Sequence, residues 1–126
     1  MYDTEAYMKI LKNTLSSRRF YHSLCVSQSA KKLAERYNQD VEKAEIAGLL
    51  HDLDEEQCDW QHDLSVHGPT SVEILKKEGI DDPILFGAIC AHNPKSGVKA
   101  RTKIQYALLA ADPMSGFLKA VAQIYP

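Results

Sequence analysis

With 126 residues, 44% of them hydrophobic and 25% charged, the chain suits one domain around one core and is neither a membrane-spanning nor a disordered composition. A formal charge of -2 announces no broad basic surface for nucleic acid, although Arg18-Arg19 and the stretch Lys95, Lys99, Arg101, Lys103 are locally basic. Cys25, Cys58 and Cys90 are too few and too scattered for a disulfide framework or a thiolate zinc site, and with neither a long apolar run nor a signal-like start the expected location is the cytoplasm.

Helical periodicity dominates, and neither sustained alternation nor β-branched runs argue for strands, so a single all-α domain over residues 1–126 is expected. Thr4 is placed to cap a first helix to about Asn13, with Tyr7, Ile10 and Leu11 inward. A second helix from about Ser17 to Tyr37 aligns His22, Val26, Ala30, Leu33 and Tyr37 in one stripe. Asp40 caps a third through "VEKAEIAGLLHDL", which is apolar on nearly every side from Ile46 onward and must therefore be central. Residues 54–66 are polar and acidic and read as a loop. Gly68-Pro69 opens a fourth helix that ends at Gly79. Asp81-Asp82-Pro83 opens a fifth through "ILFGAICAH", stopped by Asn93-Pro94. After "PKSGVKA", the segment "RTKIQYALLAAD" turns Ile104, Ala107, Leu108 and Ala111 inward, and Pro113 is expected to interrupt it before "MSGFLKAVAQIYP" resumes. Met8, Phe20, Trp60, Phe86 and Phe117 read as packing residues.

The polar members of the inward faces carry the chemistry. His22 shares a stripe with Val26; His51 follows Ala44, Ala47 and Gly48 at helical steps; His92 follows Ile84, Leu85, Ala88 and Ile89; Asp112 follows Ile104 and Leu108. Four helices thus each aim one titratable group at the core. Buried aspartates at 52 and 112 need positive compensation, and no lysine or arginine shares their faces. A shared cation would neutralise the acids and fix the imidazoles. The nitrogen and carboxylate donors suit Fe, Mn, Co, Ni or Zn with open positions. Adjacent His51 and Asp52 diverge by about 100° on a helix and reach one ion best from a helix end. His62-Asp63, without an apolar helix before it, reads as solvated loop.

These residues resemble the H...HD...D signature of the HD-domain metal-dependent phosphohydrolase superfamily. "HDLDEE", "VHGPTSVEILKKEGI", "AICAHN" and "YALLAADPMSGFLKAVA" are most similar to a small HDIG-type branch and, more distantly, to the dinucleoside polyphosphate hydrolases; the similarity spans roughly residues 18 to 125. The resemblance implies an HD-domain helical bundle of about six or seven helices. It also implies two metal ions: His22, His51, Asp52 and Asp112 on the first, and a bridging Asp52 with His67 and His92 on the second. The implied reaction is hydrolysis of a small phosphorylated substrate, a nucleotide, by water activated between the metals. No nucleic-acid or membrane partner is expected. The alternative is a sensory module that keeps the metals and binds a nucleotide without turnover.

Many relatives carry lysine in HDIGK where this chain has Glu55. The grip on phosphate must then come from elsewhere, with Arg19, Lys95, Lys99 and Arg101 the available cations, unless they are plain surface charge. The acids Asp54, Glu55 and Glu56 suit a solvated helix end, with Glu55 also placed to pass a proton to a leaving group. Relatives usually continue past the position of Pro126, so a C-terminal segment is expected to be missing or shortened.

Overall fold

The computed structural model describes residues 3–124, the backbone alone at 119 and 120. Six helices account for the fold: α1 (Thr4–Thr14), α2 (Ser17–Arg36), α3 (Val41–Leu50), α4 (Pro69–Lys77), α5 (Pro83–Ala91) and α6 (Lys103–Ile124). Two single 3-10 turns, Leu64–Val66 and Pro94–Ser96, follow α3 and α5. There is no strand among the described residues, and no described helix is long and apolar enough to cross a membrane.

The helix starts follow capping chemistry. Asp40 Oδ1 accepts from Lys43 N at 3.0 Å, and Asp82 Oδ1 accepts from Leu85 N at 3.2 Å, with Pro83 in the first turn where its missing N–H costs nothing. At α1 the cap is Asp3, whose Oδ1 accepts from Ala6 N at 3.1 Å, and not Thr4, because the helix begins one residue earlier than the expected boundary.

The core forms where helical stripes meet. Ala44, Ile46, Ala47, Gly48, Leu49 and Leu50 are all buried, so α3 is the central helix, enclosed by α1, α2, α5 and α6. Each fully buried leucine or isoleucine contributes about 1.5–3 kcal/mol; Leu11, Ile46, Leu50, Leu53, Leu75, Leu85, Ile89 and Leu108 are of this kind. Among the glycines, Gly48 lies tightest against a neighbouring backbone: a Cβ there would lie 2.7 Å from Ser27 Cα.

Four further expectations are corrected. Pro113 does not interrupt α6, which runs unbroken to Ile124. Pro113 is exposed, so water can reach the carbonyl it leaves unpaired, while buried Leu108, Ala111 and Ser115 hold the helix on either side. Tyr125 and Pro126 lie outside the described residues. Tyr37 leaves its stripe for solvent because α2 ends at Arg36. Ile84 is exposed because it lies about 100° around α5 from Leu85, which takes the inward position of the first turn. Phe117 is exposed as well, two residues beyond buried Ser115 and so on the opposite side of α6.

Candidate metal centre

The segment after α3 makes the site. Leu50 closes the helix, His51 keeps αR geometry as its C-cap, and a series of turns begins there. The last carbonyls of a helix lack intrahelical partners, and the chain uses two of them to orient rings. His51 Nδ1 donates to Gly48 O at 2.6 Å. His92, the C-cap of α5, repeats the device with Nδ1 donating to Ile89 O. With Nδ1 carrying the proton, each Nε2 keeps a lone pair aimed inward.

Two donor clusters result. In the first, His22 Nε2 lies 2.9 Å from Asp112 Oδ1 and 3.6 Å from Asp52 Oδ2. His51 Nε2 lies 3.3 Å from Asp52 Oδ2 and 3.4 Å from Asp112 Oδ1. In the second, Asp52 Oδ1 is 3.1 Å from His67 Nε2 and 3.7 Å from His92 Nε2, and these two nitrogens face each other at 3.2 Å. Asp52, 3% exposed, therefore turns one carboxylate oxygen to each cluster. All six residues expected from the sequence come together.

A cation fits these donors. His51 Nε2 is wholly buried, close to two carboxylates yet in hydrogen-bond alignment with neither. A buried nitrogen without a partner is costly, and an ion at this point would satisfy it together with His22, Asp52 and Asp112. The facing Nε2 atoms of His67 and His92 make the same case for Asp52, His67 and His92.

Without a metal, protons supply the missing charge. Burial disfavours a charged His51, yet Asp52 and Asp112 outweigh it and raise its pKa well above the usual imidazole range. His67 is raised to about 10, burial being overcome by hydrogen bonds to Asp52 and Asp54. His92 falls to about 4, through burial and then the charge of His51. Burial raises the carboxyls of Asp52 and Asp112, but their histidine partners, His51 foremost for Asp52 and His22 for Asp112, hold both well below the usual carboxylate range.

The acid run is solvated only at its end: Glu56 is exposed, whereas Asp54 and Glu55 are drawn inward. Asp54 is completely buried; its Oδ1 accepts from His67 Nδ1 at 2.7 Å, and its Oδ2 accepts from Gly68 N at 2.6 Å and Ser71 N at 3.0 Å. Glu55 Oε1 pairs with Arg19 Nη2 at 2.8 Å, and burial, then the charge of Asp52, raises its pKa. Glu56 Oε1 accepts from Ser16 N at 2.8 Å, tying the loop to the start of α2. Arg19 Nη1 also stands 3.6 Å from Asp52 Oδ2, so a cation does reach the face that the sequence left without one. Lys95, Lys99 and Arg101 are exposed on the segment after His92, and His62 is exposed beside Asp59.

Sequence reasoning missed Asp54, Gly48, Ser71 and Asn93. Asn93 Nδ2 donates to Leu64 O at 2.7 Å and His67 O at 2.9 Å, pinning the loop that presents His67. One signal was available for Asp54: a helix opening on Gly68 has no side chain for its own first N–H groups, so an acceptor must come from elsewhere.

The family model described as HD domain matches residues 19–120. A symmetrical bis(5'-nucleosyl)-tetraphosphatase of Staphylococcus aureus is 32% identical, over 86% of this chain and 64% of that protein. A ribonuclease Y of Nitratidesulfovibrio vulgaris is 33% identical, over 83% of this chain and 19% of that protein. A crystal structure described as a predicted HD superfamily hydrolase involved in NAD metabolism, from Clostridium acetobutylicum, superposes with a TM-score of 0.73 at 28% identity, covering 89% of this chain and 68% of that one. The chain thus spans less than two thirds of the length of the two curated relatives.

Proposed function

The chain belongs to the HD domain family, and from that premise we propose that it is a metal-dependent phosphohydrolase acting on a small phosphorylated substrate, a nucleotide. The supporting observation is the placement of Asp52, whose two oxygens face separate donor sets: His22, His51 and Asp112 on one side, His67 and His92 on the other. These residues would hold two divalent ions, Fe, Mn, Co, Ni or Zn by the nitrogen and oxygen donor set. Bound there, the ions would lower the pKa of water and offset phosphate charge.

The chain's own groups divide the remaining work. Asp52 orients both positions, and the Nδ1 bonds of His51, His67 and His92 keep their Nε2 atoms facing inward. Arg19, partly exposed at the rim, meets the substrate phosphate. Lys95, Lys99 and Arg101 meet its more distant part. Glu55, with its raised pKa, holds a proton near the leaving group. A second reading, a nucleotide sensor without turnover, rests on Glu55 standing where the HDIGK pattern has its lysine, with its carboxylate paired to Arg19 at 2.8 Å.

Elemental analysis of protein purified without chelator or nickel affinity, joined to phosphate release, tests the function. The substrate panel should contain dinucleoside polyphosphates, mononucleotides, simple phosphoesters and a short RNA. Two transition-metal ions per chain and turnover of a nucleotide are expected. Two ions with tight nucleotide binding and no turnover would establish the sensor, and cleavage of the RNA alone would move the substrate to nucleic acid.

Loading the metal-free protein with Zn2+ at neutral pH should release about two protons, because ligation displaces those held on His51 and His67. Titration calorimetry in buffers of different ionisation enthalpy counts them. The linkage also has a stability sign. A raised imidazole pKa stabilises the metal-free fold fully below its ordinary value near 6.5 and loses that contribution as pH rises through about 10. Metal-free protein should therefore melt at a lower temperature at pH 10.5 than at pH 8.5, by more than the zinc-loaded protein does.

A further inference from the structure

We propose that Asp54 is a positioning residue for the second metal position, fixing which nitrogen of His67 faces it; this rests on the two-position reading above. Asp54 is anchored from several directions. Its backbone N donates to Ser71 Oγ at 2.9 Å, and its Oδ2 accepts from Gly68 N at 2.6 Å and Ser71 N at 3.0 Å. It thereby caps α4 from fourteen positions upstream, supplying what Gly68 lacks. Gly68 cannot be exchanged for a self-capping residue, since its φ is +104° and a Cβ would lie 3.3 Å from Cys90 Cα.

Anchored in this way, the carboxylate cannot follow a turning ring. Its other oxygen accepts from His67 Nδ1 at 2.7 Å, so Nδ1 carries a proton and Nε2 faces Asp52 Oδ1 at 3.1 Å and His92 Nε2 at 3.2 Å. Where His51 and His92 use the last carbonyls of their own helices for this purpose, His67 stands before a helix and has no such carbonyl. A carboxylate from the acid run takes that place. Outer partners of this kind change metal affinity by about 10–100-fold when removed.

Asp54→Asn is the sharp variant. Its amide must keep the oxygen toward the two backbone N–H groups, because its NH2 group would clash with both. The NH2 group then meets His67 Nδ1 and drives the ring proton onto Nε2, the nitrogen required by the ion. Zn2+ titration calorimetry of wild type should show two sites per chain; in Asp54→Asn the first should be unchanged and the second weakened about 10–100-fold. Two unchanged sites in the variant overturn the assignment and leave the two-position reading intact. A single site in wild type overturns that reading itself. If Asp54→Asn does not fold, nitrogen-15 NMR of the zinc-loaded wild type decides: protonated Nδ1 with zinc-shifted Nε2 on His67 supports the assignment, and zinc on Nδ1 overturns it.

Discussion

Asp52→Ala is expected to remove metal from both positions and to lower phosphohydrolysis by roughly 10³-fold or more. Each metal interaction lost from a transition state is worth several kcal/mol, and each 1.36 kcal/mol is a factor of ten. Asp52 supplies Oδ2 to one donor set and Oδ1 to the other, so one deletion strips a ligand from each. The fold should survive. His51 and His67 owe their raised pKa values to Asp52 together with Asp112 and Asp54, and with Asp52 gone their pKa values fall and proton loss relieves the buried charge. Elemental analysis, phosphate release and near-ultraviolet circular dichroism check the three parts separately. A folded variant retaining two ions and wild-type turnover would exclude a bridging role for Asp52.

A loss of stability from adding a single methyl group is expected at Gly48. An alanine Cβ there would stand 2.7 Å from Ser27 Cα, 3.0 Å from Ser27 N and 3.1 Å from Val26 C. All three are backbone atoms, so no side chain can swing aside and α2 must part from α3. Overpacking of this kind costs about 3 kcal/mol. Alanine regains about 1 kcal/mol in helix propensity, which leaves Gly48→Ala about 2 kcal/mol less stable in urea denaturation. The damage should also reach the site, because Gly48 O accepts from His51 Nδ1 and Ser27 lies five positions along α2 from His22. Metal affinity should fall together with stability. A variant as stable as wild type would mean that the two helices separate at little cost.

The helices and four of the six clustered residues were legible because both depend on periodicity, whereas Asp52 was read from its place beside His51 and His67 only from the family resemblance. Val26, Ala30, Ala47, Leu50, Ala88, Leu108 and Ala111 are buried as their spacing requires, and His22, His51, His92 and Asp112 share those faces. What periodicity does not carry is the contact made by a turn. Asp54 belongs to a stretch without a repeating pattern, and its partners His67, Gly68 and Ser71 lie 13 to 17 positions away. Three consecutive acids read as solvated when each is considered alone, yet they reach His67, Arg19 and Ser16 respectively. Pro113 marks a different limit. Proline removes one hydrogen bond of a helix, and packing on either side of it decided that α6 continues.

Two helices finish at one place. α3 ends at Leu50 and α5 at Ala91, with His51 and His92 as their caps, so each directs the partial negative end of its macrodipole at the ring of donors, an effect of up to about half an elementary charge apiece. Peptide carbonyls do not titrate, and no side-chain substitution deletes them. A residual pull on cations should therefore outlast acidification and even the loss of an aspartate, while an anion nearing this wall meets a repulsion that is eased when it comes escorted by positive charge.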